Sequence, residues 1–316
     1  MEKRKSATLP RSPGEFMAAP LLPPLEPLPT FGELSMDELH HRFTKGILSP
    51  EELLSDSIDN LLAVVPYGGL TRSAGHLMEN QPWRQPSLIG AGLWGTTFVR
   101  AAESGIALEL VQLAEELSAV CIGFFTEQSA RNPLFPDQIL EGPWGGGAGA
   151  LLGWAVQFAL GLDQGGNLAR TVLATGLPGF RLPTRAPGMP APGWLHNYLV
   201  DSPILAQSFL KQAVSRETPR LRLELPPEWE FRLGAILRGL PRERADEDSE
   251  TGLIRILPLK GETILAADSL GCSAAYVPWR PGSSDATFFQ ILSPSGTEMT
   301  VASIVRLLAG PAAESG

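Results

Sequence analysis

The chain has 316 residues, 43% of them hydrophobic and 19% charged, a globular composition with enough length to bury a full core. Its 25 Lys and Arg against 34 Asp and Glu leave a net charge of −9 with no long basic run, which argues against a nucleic-acid reader, whose positive charge should cluster on one face. Two cysteines, Cys121 and Cys272, both in apolar stretches, are too few for a disulfide scaffold and fit buried thiols in a reducing compartment.

The N-terminus, MEKRKSATLPRSPGEF, has the positive start of a signal peptide, but Pro20, Pro23, Pro24, Pro27 and Pro29 break the apolar region that should follow. Residues 1–30 are therefore expected to form an extended, disordered arm. No run of about 18 apolar residues is present to span a bilayer, and the expected setting is the cytoplasm. An ordered domain is expected over 31–310, with 243–250 a charged surface loop and 311–316 a tail.

Ser35, with Glu38 three residues on, predicts a helix carrying Met36, Leu39, His40 and Phe43 on one face. Ser49-Pro50-Glu51-Glu52 opens a second helix by a cap followed by proline, with Leu53, Leu54, Ile58, Leu61 and Leu62 as its apolar stripe. His40 and His41 are adjacent and point apart on a helix. His76 and His196 have no Cys or carboxylate cluster at ligand spacing, so neither a metal nor another cofactor is expected. Residues 66–100 read as loop with short strands, 106–117 as a helix and 119–125 as a buried strand. The segment 150–160 is almost wholly apolar and is expected to be a buried helix between two glycine-rich turns. Further on, 202–214 predicts a helix, 255–259 and 274–278 strands, and 300–308 a closing helix. Helices and strands interleave, which is the α/β class.

The turns themselves are Gly142-Pro143-Trp144-Gly145-Gly146-Gly147 and Asp163-Gln164-Gly165-Gly166-Asn167. A phosphate-binding P-loop needs Lys-Ser or Lys-Thr after its glycines, and Ala-Gly-Ala stands there instead. Gly147, Gly149 and Gly153 offer only a stretched dinucleotide fingerprint after a poor strand, so nucleotide binding stays open as a minor alternative.

Taken together, the two turns resemble the amidase signature hydrolases, which include the glutamyl-tRNA amidotransferase (its A subunit) and fatty acid amide hydrolase. The family's GGSSGGS and TDTGGS turns match residues 141–147 and 162–167 without a gap. Its cGvvGlKPT segment is echoed in Thr175–Thr184 with one residue inserted. Looser similarity covers the opening helices through Gly46–Leu53, the segment Ile122–Glu127 and the late strand Leu270–Pro278, so the likeness spans about 34–309. It implies a mixed, twisted central sheet covered by helices on both faces. Relative to the family the chain looks short, with the missing length between Val214 and Ile254.

The resemblance also implies a chemistry: a serine attacks an amide, and a lysine relays its proton through a second serine, while backbone N–H groups of the second turn hold the oxyanion. Carried over by position, the nucleophile falls on Asn167, the relay serine on Pro143 and the lysine near Gly90. Shifting the alignment does not repair this, because no lysine lies between Lys45 and Lys211 and no serine or cysteine between Ser129 and Ser202. Thr171 and Thr175 fall on no triad position. What remains is Asp163 and the turn formed by Gln164, Gly165, Gly166 and Asn167, with Gly145 and Gly146 opposite, an oxyanion-like ligand-binding turn. The expected protein is thus a pseudo-amidase that binds a partner protein (an active amidase-like subunit or a second copy) or a small amide- or carboxylate-bearing ligand. The alternative is an active amidase or amidotransferase-like subunit with a relocated site using Ser283, Ser284 or Lys260. The family's relay serine follows a cis peptide, so Gly142–Pro143 is also expected to be cis.

Overall fold

Capping chemistry sets the first two helices. In the computed structural model, Ser35 Oγ accepts the Glu38 N–H at the start of α1 (Met36–Thr44). Ser49 and Glu52 exchange both bonds of a capping box, with Pro50 at the first position of α2 (Pro50–Val64). The structure describes residue 24 and residues 31–72, 93–102, 108–126, 128–184, 186–210, 220–238, 253–279 and 287–309. The remainder of the proline-rich arm, the loop 243–250 and the tail 311–316 lie outside the described residues.

Among the described residues, ten strands form one sheet: β1 (Leu70–Arg72), β2 (Thr97–Ala101), β3 (Val120–Phe125), β6 (Phe158–Asp163), β7 (Gly179–Arg181), β8 (Ala191–His196), β9 (Arg220–Leu223), β10 (Leu253–Pro258), β11 (Ser273–Trp279) and β12 (Thr287–Ser293). Their order is β1-β3-β2-β6-β8-β7-β11-β12-β10-β9, and β4 (Ala130–Arg131) pairs with β5 (Ile139–Leu140) in a small separate ribbon. The sheet is mixed. β2 runs parallel to β3 and β6, and β9 runs parallel to β10, whereas β6–β8, β7–β8, β7–β11, β11–β12 and β10–β12 are antiparallel.

Because successive side chains on a strand face opposite ways, each strand feeds two cores. Phe98, Phe158, Leu160, Trp194 and Val277 enter one, packed with side chains of α3 (Leu108–Glu116), α6 (Ser202–Phe209), α7 (Pro227–Ile236) and α9 (Glu298–Ala309). Val99, Ala159, Leu195 and Tyr276 enter the other, against α2, α4 (Gly145–Leu152), α5 (Asn167–Thr175) and α8 (Ala266–Leu270). The α/β architecture with helices on both faces is as the sequence implies. Among the described residues, no helix is long and apolar enough to cross a membrane.

Two elements differ from expectation, and the smaller difference is that the helix expected over 202–214 ends at Phe209, where Leu210 turns extended. The buried helix expected over 150–160 starts earlier, at Gly145, and ends at Leu152; Phe158–Asp163 is a strand between β2 and β8. Uniform apolarity has no period, so it suits a buried strand as well as a buried helix. Gly153 closes the helix and Trp154, at φ 57, reverses the chain. The expected burial holds, since only Leu152 and Trp154 between 150 and 160 are partly accessible.

The N-terminal helix is docked by a buried acid. Asp201 Oδ1 accepts the Met36 N–H at 2.9 Å, and burial pushes its carboxyl up to about 7, against that hydrogen bond and with help from Asp37. A folded-state value raised above the unfolded one means that the folded protein holds the extra proton, so stability falls as pH rises from about 4 to 7. Asp201→Asn keeps the acceptor and removes the titration. It is expected to be more stable than wild type by up to about 4 kcal/mol at pH 8 and no different at pH 4, as read from urea unfolding. His196, held down to about 3 by burial, contributes an opposite slope that both proteins share.

Candidate functional site

The first turn begins at the ribbon. After β5, Gly142 turns the chain at φ 86, with its N–H donated to Ser129 Oγ at 3.3 Å. Trp144 then caps α4 and buries its ring completely, beside Phe125 and over Gly161. The helix starts on glycines because backbone lies directly against it: a Cβ on Gly146 would stand 2.1 Å from the Gly69 carbonyl oxygen. The expected cis bond at Gly142–Pro143 is absent. Every described peptide bond is trans, and the positive φ of Gly142 makes the turn.

The second turn joins β6 to α5. Asp163, fully buried, accepts the Leu168 N–H at 2.9 Å through Oδ1 and so anchors the first turn of α5 from below. Its Oδ2 lies 3.4 Å from Arg181 Nε, an ion contact longer than a hydrogen bond. Arg181 Nη2 reaches Asp268 Oδ1 at 3.2 Å. Burial pushes the Asp163 carboxyl up, while the Leu168 N–H and Arg181 oppose the shift. Tyr276, fully buried nearby, has a hydroxyl without a hydrogen-bond partner, driven far up by burial and by Asp163. Gly166 caps α5 at φ 69, and a side chain there would meet Ile264, whose carbonyl oxygen lies 2.8 Å from the Cβ position.

The two turns lie side by side. A Cβ built on Gly142 would be 3.7 Å from Asn167 Oδ1. A cavity of about 450 Å³ opens there, lined by Ile139, Glu141, Gly142, Asn167, Arg170 and Thr171, among others. The structure thus brings together Asn167 and the Gly142–Pro143 turn, the expected nucleophile and relay positions. Gly90, Ser283 and Ser284 lie outside the described residues. Lys260 lies in the loop leading to Ile264, with its ammonium paired to Glu262 and exposed, and it does not line the cavity.

No described group in the cavity is arranged as an activated nucleophile. Arg170 Nη1 donates to Asn167 Oδ1 at 3.0 Å and to the Gly165 carbonyl at 2.7 Å, so the side chain at the nucleophile position is tied back to its own helix. Thr171 donates to the Asn167 carbonyl, and Thr175 to the Thr171 carbonyl, as helical hydroxyls commonly do. Away from the cavity, Cys121 is buried and pushed up to about 11. Ser202 and His196 approach to 2.6 Å, but His196 is fully buried and the pair lines no described cavity. Among the described residues, no group of three or more His, Cys, Asp or Glu could hold a metal ion.

Two residues at this site were not singled out from sequence. Arg170 carries no motif, and its role emerges only from the geometry of α5. Ser129 reaches Gly142 through the β4–β5 ribbon, whose two-residue strands are too short to leave a periodic signal.

No protein-family profile matches the chain, and no curated protein sequence matches it significantly. Solved structures do match. A 6-aminohexanoate cyclic dimer hydrolase in complex with substrate is 13% identical, with a TM-score of 0.61, over 89% of this chain and 97% of that one. A crystal structure of an amidase is also 13% identical, with a TM-score of 0.63, over 87% and 99%. The glutamyl-tRNA(Gln) amidotransferase of Thermotoga maritima, in its A subunit, is 13% identical, with a TM-score of 0.56, over 88% and 94%. These neighbours are amidase-signature enzymes, and the chain has their fold.

Proposed function

We propose that this chain uses the amidase-signature fold without its hydrolytic chemistry and works by binding at the paired glycine turns. The observation that carries this reading is Asn167. It occupies the position the resemblance assigns to the nucleophile, it lines the cavity, and its side-chain oxygen is held by Arg170. A carboxamide has no useful nucleophilic oxygen. No serine or cysteine between 129 and 202 and no lysine between 45 and 211 stands in for the missing groups.

Two features support binding. The Arg170 guanidinium at the cavity offers a cation to a carboxylate or amide carbonyl. Large apolar side chains are also exposed on segments joined to the turns. Phe135 is 66% exposed on the loop whose Gln138 bonds the Ala174 carbonyl. Leu265, 46% exposed, follows the Ile264 that packs on Gly166. Exposed apolar side chains on the segments that carry the turns are what a docked partner would cover, and a cytoplasmic protein of the amidase-like kind fits the proposal.

The test is turnover by the purified chain on a panel of simple amides and esters. Wild type is expected at the background rate, and Asn167→Ser is expected to gain nothing, because a serine without a base stays protonated. Hydrolysis that follows the protein through successive purification steps, in proportion to its amount, would contradict the reading.

A further inference from the structure

We infer that the cavity between the glycine turns is a site for a free α-amino acid with an apolar side chain, its carboxylate held by Arg170 and its ammonium by Glu141. The inference rests on the reading of the turns as a binding site and names what they bind. The cavity, of about 450 Å³, is a groove with two walls. One wall is α5, where Asn167, Arg170, Thr171 and Ala174 recur at helical spacing on a single face. The other is the chain from Ile139 to Gly142. Leu140 enters the core there, so the alternation of a strand turns Ile139 and Glu141 together toward the groove.

Two contacts fix how the walls face each other. Gln138 Nε2 donates to the Ala174 carbonyl at 3.1 Å and ties the walls at one end. At the other, the turn end, the Cβ position of Gly142 is 3.7 Å from Asn167 Oδ1. Counted from the turn end, Arg170 is three residues along the helix, about 4.5 Å, and Glu141 is one residue along the opposite wall, about 3.3 Å. The cation and the anion therefore leave the two backbones at nearly the same height. They do not pair with each other, and neither forms an ion pair elsewhere among the described residues. Arg170 is steadied through Nη1, which donates to the Gly165 carbonyl at 2.7 Å and to Asn167 Oδ1 at 3.0 Å, so Nη2 is left for a ligand. Opposite charges that face each other across a groove without meeting suit a group carrying both charges close together. An α-amino acid carries them on one carbon, whereas a longer amino-carboxylate has to fold back on itself. Its side chain then runs toward the Gln138 end, along Ile139 and Ala174. Thr171, between them, has its hydroxyl engaged by the Asn167 carbonyl, so an apolar side chain suits this stretch better than a polar one.

Isothermal titration calorimetry of the full chain with L-leucine tests it, beside two analogues that each lack one charge, 4-methylpentanoate and 3-methylbutylamine. Leucine is expected to bind with a sub-millimolar dissociation constant. Each analogue is expected to bind at least about tenfold more weakly, because each loses one charge-assisted contact. Glu141→Gln is expected to weaken leucine at least about tenfold and to leave 4-methylpentanoate within about threefold of wild type. Arg170→Gln is expected to weaken leucine and 4-methylpentanoate alike. The three ligands compared on wild type require no variant to fold, and unchanged thermal melting shows that the variants do. No measurable binding of leucine, or an analogue that binds as tightly as leucine, overturns the inference. Equal binding by 4-methylpentanoate would leave the turns as a carboxylate site, so the wider reading survives that result. The wider reading fails on a different readout, amide hydrolysis by the same preparation, which the isotherms do not report.

Discussion

Replacing Arg181 by methionine is expected to lower the free energy of unfolding by about 3–5 kcal/mol, the range found when one member of a buried ion pair is removed. Arg181 is fully buried between Asp163, at 3.4 Å, and Asp268, at 3.2 Å. It is the positive charge that faces a carboxylate with no exposure of its own. Methionine fills similar space and leaves Asp163 uncompensated. Asp163 is already pushed up by burial, and without Arg181 it rises further. The folded variant then holds a proton that the unfolded chain releases above about pH 4, so the deficit grows as pH rises. Urea unfolding of both proteins at pH 5 and pH 8 should show the larger difference at pH 8. A loss below about 1 kcal/mol at both values would mean that the pair is not what holds Asp163 beneath the second turn.

Gly146→Ala is expected to be as damaging, by a different mechanism. Its Cβ would stand 2.1 Å from the Gly69 carbonyl oxygen and 2.8 Å from Phe125 Cβ, so α4 must back away from β3 and the chain before β1. Overpacking of side chains costs about 1–3 kcal/mol. Here the obstacle is backbone that cannot rotate aside, and a loss of at least about 3 kcal/mol is expected. Gly165→Ala is the control. It has positive φ but no atom within 4 Å of its Cβ position, so it should lose only about 1–2 kcal/mol, the strain of a left-handed residue. Equal losses for the two variants would show that the turns matter only for backbone angle and not for close approach.

Much of this architecture could be read in advance where the residues carry local physics. Ser35, Ser49 and Glu52 announce their helices by capping chemistry that depends on neighbours three residues away. The strand at Val120–Phe125 is short, apolar and β-branched or aromatic in part, and the helix Glu298–Ala309 keeps a clear apolar face. The spacing of the two glycine turns was sufficient to place Gly142 beside Asn167. The strand Phe158–Asp163 was not legible, because a segment apolar on every side looks the same whether helices or strands surround it. At Gly142–Pro143 the cis geometry implied by the resemblance is not kept, and a glycine at positive φ turns the chain instead. The triad of Asp163, Arg181 and Asp268 joins residues up to 105 positions apart, as the contact of Arg181 with both acids shows, and no local pattern signals a contact of that kind.

Arg170 is the residue that most changes the picture of the site. The resemblance implies what Asn167 lacks; the structure adds that its oxygen is engaged by a guanidinium one helical turn on. A binding site built this way would present Arg170 and the turn backbone to a ligand.

The most direct measurement is exposure of the purified chain to a fluorophosphonate probe, followed by intact-mass spectrometry. A serine activated by any base, at the glycine turns or elsewhere in the chain, gains the phosphonyl group covalently, because the probe traps nucleophilicity itself. The account predicts an unmodified mass after prolonged incubation. A stoichiometric single adduct on the native protein, lost on heat denaturation before labelling, would contradict it and would mean that a serine away from position 167 is activated in this fold.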